Sequence, residues 1–466
     1  MQQYLHVLSY RRNSYGVRLG VFMQADPWTE WLDPTCVFLP RTTEEVSQAV
    51  SIFTEYGCPF AIRGGGHSAV RGAANIEDGI LVSMRRIKDI TFSEDKRTVS
   101  VGAGNTWAEV YNAVEPHGFM VVGGRFAPVG MGLALGAGFS YFTNDLGLAV
   151  DNVAGQRVVL ANGTVVVASA EAHQDLHWAL KGGSNNFGVV THFILETVPH
   201  PGLYGGRVTY PPSSLDAVQK VTYDYQVKTA AEHRDVHVLP TYIYDSVSNT
   251  TYGYSPLAYL KNATALPASL QPWLDIEHTN STIKGRTFGN LAQELAAGFP
   301  DGLVQSLYTF TVYPSEPYLK FALERFHEFC SGVSHIEGLA GLQTIMPIPP
   351  QAIEKASGNN PLGLDRARPG TSLTVVGLGL QFTNEEDIDE VFPAWDIFIR
   401  DLQLEAKSRD LLFPFIMLPY ADGNQQAIAS YGDESVERLQ EVSAAYDPDM
   451  VFQRLVNGGQ KLPLFS

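Results

Sequence analysis

Three consecutive glycines stand in Arg63-Gly64-Gly65-Gly66-His67-Ser68, directly after the apolar run Cys58-Pro59-Phe60-Ala61-Ile62. A short strand feeding such a turn brings bare backbone N–H groups up to an anion, because no Cβ blocks the approach. A P-loop would need Lys and then Ser or Thr after its last glycine, and this chain has His67 there instead. A plain turn has no use for an imidazole. The loop therefore reads as a holder for a pyrophosphate, with a histidine at its edge.

Three further segments narrow that reading. Gly123-Gly124-Arg125-Phe126-Ala127-Pro128-Val129-Gly130-Met131-Gly132-Leu133-Ala134-Leu135-Gly136-Ala137-Gly138 is dense in glycine, yet apolar between the glycines, and it leads on to Asp151-Asn152-Val153. Glycines cost backbone entropy on folding, so such a run makes sense where backbone must lie against a large flat or anionic group. A flexible linker would be polar. The third segment is Trp178-Ala179-Leu180-Lys181-Gly182-Gly183-Ser184-Asn185-Asn186-Phe187-Gly188-Val189-Val190. The fourth is Tyr446-Asp447-Pro448-Asp449-Met450-Val451-Phe452-Gln453, followed by Gly458-Gly459 and Lys461-Leu462.

In this order and spacing the four segments resemble the FAD-linked oxidases of the berberine-bridge-enzyme-like family, within the vanillyl-alcohol-oxidase (PCMH-type) flavoproteins. The resemblance is close over residues 31–200 and 425–462, looser between them, and in the style of the fungal secondary-metabolism branch. It implies FAD bonded covalently through the His67 ring to the flavin 8-methyl carbon. It also implies cofactor contacts at Arg63, Gly64, Gly65, Gly66, Ser68, Val129, Gly130, Gly132, Gly136, Gly138, Asn152, Val153, Gly188 and Val190. Lys181 and Ser184 depart mildly from the family's third block. Many relatives place a cysteine that forms a second flavin bond where this chain has Phe126, so attachment through His67 alone is expected. Relatives of the fungal branch read Tyr-Leu-Asn where this chain reads Met417-Leu418-Pro419, and that tyrosine often serves as base. Val129 matches the position at which relatives set oxygen access.

The fold class that follows is α+β, a two-lobed PCMH-type architecture. Residues 1–205 form an FAD domain with its core at about 31–202. Residues 206–418 form a substrate domain, an antiparallel sheet covered by helices, and 419–466 complete the FAD domain. With 466 residues, 45% of them hydrophobic, the chain can bury two sizeable cores. Strand, helix and strand are expected at 34–39, 43–56 and 59–62, a hairpin around Asn162-Gly163, and strands at 206–210, 236–244, 304–313 and 372–382.

A net charge of −17 without a basic cluster argues against nucleic acid and anionic membrane as partners. No apolar run is long enough to span a bilayer. No metal-ligand spacing occurs among the three cysteines or the histidines. Met1 to Asn13 contains no apolar leader region. Sequons at Asn162, Asn249, Asn262 and Asn280 fit a secretory glycoprotein whose leader has been removed, and a cytoplasmic enzyme is the other expectation.

The expected activity is oxidation of a small molecule, with hydride passing to the flavin and on to O2. A redox-neutral cyclase or isomerase on the same scaffold is the alternative, prompted by the missing tyrosine and asparagine. Candidates for the base are Tyr420, Tyr141 and Tyr308, with Tyr313 and His335 behind them.

Overall fold

The structure, a computed structural model, describes residues 32–297 and 302–463, so the leader reading of Met1 to Asn13 lies outside the described residues. The first helix, Thr43–Tyr56, begins where the Thr42 hydroxyl accepts the Glu45 N–H at 3.2 Å. Val46, Ala49, Val50 and Phe53 recur at helical spacing and are buried together. Gly57, in the left-handed region at φ 63°, stops the helix. The chain turns back into Phe60–Arg63, and a three-stranded parallel sheet forms with Ile80–Ser83 between Cys36–Phe38 and Phe60–Arg63.

A second, antiparallel sheet carries Ile90–Phe92, Thr98–Gly102, Val189–Pro199, Val153–Val159 and Val165–Ser169 in that order, and Phe119–Val121 also pairs with Val189–Pro199. The turn around Asn162-Gly163 is wider than a two-residue hairpin, since Val159 pairs with Val165. A Cβ on Gly163 would stand 2.0 Å from Ser51 Oγ, so the turn is pressed onto the first helix and only glycine fits.

The third sheet has ten strands drawn from residues 204–413. Leu373–Phe382 lies between Ala340–Ile348 and Val304–Val312 near one end of it. Side-chain alternation sets its two faces. Val376, Leu378 and Leu380 join Phe326, Trp395 and Phe398 of the helices Glu316–Gly332 and Ile388–Ser408. Leu373 and Val375 face the core of the first two sheets instead. The strand expected at 236–244 is broken into Val236–Val238 and Thr241–Asp245, because Leu239-Pro240 interrupts the ladder.

A helix crossing ties the halves together. Helix Phe288–Ala296 packs on helix Trp107–Val114, with Gly289 against Asn112 and Phe288 against Tyr111. The buried Glu115 carboxylate accepts the Phe288 and Gly289 N–H groups at that helix's first turn. None of the helices among the described residues is long and apolar enough to cross a membrane.

Candidate cofactor and substrate site

The four glycine-bearing segments converge. Gly65 and Gly130 meet backbone to backbone, and a Cβ on Gly130 would lie 2.4 Å from Gly65 N. The Trp107 N–H donates to Val129 O at 2.9 Å and Thr106 bridges to Gly130, which anchors the second segment. Ser184 N–H donates to Leu135 O at 3.0 Å, tying the third segment to the second. Gly458 lies so close to Gly72 that a Cβ there would overlap Gly72 O. Asn185 donates to Gly458 O at 3.1 Å, and Asn186 to Gln460 O at 2.9 Å. The buried Lys461 ammonium holds Asn185 Oδ1 and Phe452 O, and burial pushes it down to about 7.

Inside this knot the first loop is fixed from both sides. Arg63 folds back so that its Nε donates to Ala74 O at 2.8 Å, and Ser68 Oγ accepts the Val70 N–H. Gly66 turns the chain at φ 82°. The N–H groups of Gly64, Gly65 and Gly66 donate to no acceptor among the described residues. His67 follows them and is exposed. Gly132 is exposed too, and a Cβ there would meet no protein atom within 4 Å. Three undonated amides beside a bare, protein-free glycine edge are the chemistry that a diphosphate and a planar ring require, so the residues fit FAD. Gly136 presses on Leu418 and Pro419. Gly138, Val153, Gly188 and Val190 are buried in the packing that backs the loops.

The Asn152 side chain is bonded within the protein. Its Nδ2 donates to Leu146 O and Leu148 O, and its Oδ1 accepts Lys355 Nζ at 3.0 Å, so the side chain is spent on holding a turn. Beside it Asp151 accepts from Leu148 N–H and Asn360 Nδ2, and burial raises its carboxyl to about 6 while Lys181 and Lys355 oppose the rise. A raised carboxyl favours the folded state most at low pH, and that contribution fades as pH climbs from its ordinary value near 4 to about 6. Asp151→Asn should therefore cost about 1–2 kcal/mol for the mispaired donor near pH 4. The cost should shrink between pH 4 and 6 in urea melts, and one that grew with pH would contradict the assignment.

Two of the three tyrosine candidates are engaged by their own surroundings. Tyr141 is buried and donates its hydroxyl to Arg125 O at 2.8 Å, and burial drives its phenol far up. Tyr308 projects to the helix-covered side of the large sheet, where Asp396, Gln403 and Asp422 surround it. Tyr313 is walled in by the Arg368 guanidinium, 4.1 Å above its ring. His335 is a surface residue paired with Glu390 at 2.9 Å. Tyr420 alone is half-buried beside the second glycine segment, its ring 6.5 Å from that of Phe139. The segment there is a single turn, Leu418–Tyr420, while Met417 is fully buried in the core.

Comparison with known proteins agrees with this geometry. The FAD binding domain family is matched over residues 34–169. The FAD-dependent monooxygenase prx3 of Penicillium roqueforti is 33% identical over 453 residues, covering 94% of this chain and 88% of that one. The bifunctional solanapyrone synthase of Alternaria solani is 33% identical over 437 residues, covering 92% and 82%. The chain belongs to the family of these fungal FAD-dependent oxidoreductases. The fold is that of 6-hydroxy-D-nicotine oxidase from Arthrobacter nicotinovorans, with a TM-score of 0.76 at 20% identity and 94% of each chain covered. Berberine bridge enzyme from Eschscholzia californica superposes with a TM-score of 0.74 at 18% identity, covering 93% of this chain and 91% of that one.

Within this FAD-linked oxidoreductase, one group of residues escapes sequence reading. Arg125, from the second glycine segment, reaches His237 and Met346 of the large sheet. Its signal is modest but present, for it is the only charged residue between 118 and 144.

Proposed function

We propose that this enzyme oxidises a small-molecule intermediate of secondary metabolism, carries its FAD on His67 alone, and uses O2 as the final electron acceptor. The observation that supports the reading is the Gly65–Gly130 contact, which joins the two glycine segments next to the exposed His67. Phe126 stands where a second linkage would need a thiol. Bound FAD would supply a hydride acceptor for the substrate carbon and a two-electron route to O2, with a proton completing hydrogen peroxide. The chain's own part is to hold the cofactor by the loop amides, to admit oxygen past the small Val129, and to take the substrate proton. Tyr420 is the base in this reading, since Tyr141 and Tyr308 are committed elsewhere.

Acid denaturation tests the attachment. Yellow colour should stay with the precipitated wild-type protein and move to the supernatant for His67→Ala. Colour in the wild-type supernatant would rule out the covalent bond. The buried Met417 in the place of the family's tyrosine favours a second reading, a redox-neutral cyclase or isomerase. Anaerobic mixing with substrate separates the two: the oxidase bleaches once and stops until air returns, whereas the cyclase turns over without oxygen.

A further inference from the structure

Arg125 is 4% exposed and has no carboxylate partner among the described residues. A guanidinium stays charged in any protein environment, and burying one without a counter-charge costs several kcal/mol. Its partners here are weak ones. Nη2 meets the Met346 thioether at 3.3 Å, Nη1 meets His237 Nε2 at 3.2 Å, and the Phe139 ring lies 5.1 Å away. Nε has no partner at all. His237 repeats the pattern. Burial and the adjacent guanidinium hold its imidazole neutral, so Nε2 accepts from Arg125 and the proton sits on Nδ1. That Nδ1 is buried and unpartnered. Two donors, one of them cationic, thus stand unanswered at the seam between the second glycine segment and the large sheet.

Their setting is the sheet face turned toward the glycine segments. Met346 lies on the sheet face turned away from the covering helices, and its methyl hangs over Gly377, whose added Cβ would be 2.9 Å from it. A flexible thioether is a poor acceptor and an easily displaced cover. We propose that Arg125 and His237 form an anion subsite of the substrate cleft, taking a planar anionic oxygen group of the substrate, a carboxylate or an ionised enol, with Met346 swinging aside. The proposal rests on the flavin-cleft reading above and adds the substrate's charge to it.

Benzoate and benzamide, alike in shape and different in charge, are the probes. Titrated into the flavin-loaded protein, benzoate should perturb the flavin absorbance and raise the melting temperature saturably, with benzamide at least about tenfold weaker, as expected for a charge-assisted contact. Arg125→Met should abolish the preference and Arg125→Lys should restore part of it. If Arg125→Met does not fold, His237→Phe, which keeps the guanidinium, must weaken benzoate severalfold. A wild-type protein that binds neither probe, or both alike, overturns the proposal, as does an unchanged preference in the variants. Benzoate-dependent stabilisation of a protein that never takes up flavin would sink the flavin reading and leave the anion subsite standing.

Discussion

Gly130→Ala is expected to yield a protein stripped of most of its flavin and about 3 kcal/mol less stable, at the upper end for a steric insertion. The added Cβ would sit 2.4 Å from Gly65 N and 2.7 Å from Gly65 Cα, both of them backbone atoms. Neither side can yield cheaply. Gly65 hangs from the strand Phe60–Arg63, and Gly130 is pinned by the Thr106 bridge and the Trp107 N–H bond to Val129 O. The backbone at Gly130, φ −83°, is one that alanine adopts freely, so the penalty is contact and not conformation. Two other glycines make the controls. Gly118→Ala, at φ 79° with nothing in reach, should cost about 1 kcal/mol in backbone strain and keep its flavin. Gly132→Ala should fold like the wild type, because its Cβ touches no protein atom, yet take up less flavin. Thermal melts and the flavin-to-protein absorbance ratio read all three. A yellow, stable Gly130→Ala would mean that the two loops do not share one cradle.

Much of this was legible in the chain, and the reason differs by element. Thr43–Tyr56 is legible because its signals are local: a hydroxyl cap, carboxylates in the first turn, apolar residues at helical spacing and a left-handed glycine at the end. The loop Arg63–Ser68 is legible because glycine density and a misplaced histidine have few other uses. That Gly65 touches Gly130 is not legible, since each segment shows only that its backbone must be bare and not what approaches it. The tyrosines show the limit most sharply. Tyr308 reads as a cleft residue until the register with Leu378 fixes which face of the strand it shares. A one-residue change in alternation would reverse that answer. Arg125 escaped because a lone arginine carries information only when its neighbours lack a carboxylate, and those neighbours, His237 and Met346, come from strands more than a hundred residues downstream.

Tyr420→Phe is expected to lower kcat by about 10²- to 10³-fold while leaving flavin content and stability unchanged, the range for loss of a positioned general base. The ring's place argues for it. Tyr420 closes the turn Leu418–Tyr420, whose first two residues press on Gly136, so the phenol is carried by the same contact that supports the second glycine segment. Its ring neighbour Phe139 directly follows that segment and lies under the Arg125 guanidinium. The loss in Tyr420→Phe should fall on reduction of the flavin by substrate and leave its reoxidation by air unchanged. Tyr308→Phe, across the sheet, should change kcat by less than about twofold, within the range of an ordinary surface substitution. Tyr141→Phe gives a different signature: it removes the hydrogen bond to Arg125 O and should cost about 1 kcal/mol of stability without slowing flavin reduction. Stopped-flow reduction of the flavin under anaerobic conditions isolates the proton-transfer step from reoxidation. If Tyr420→Phe reduced its flavin as fast as the wild type, the substrate would have to lose its proton to another group, and the anion subsite at Arg125 and His237 would be the next place to look.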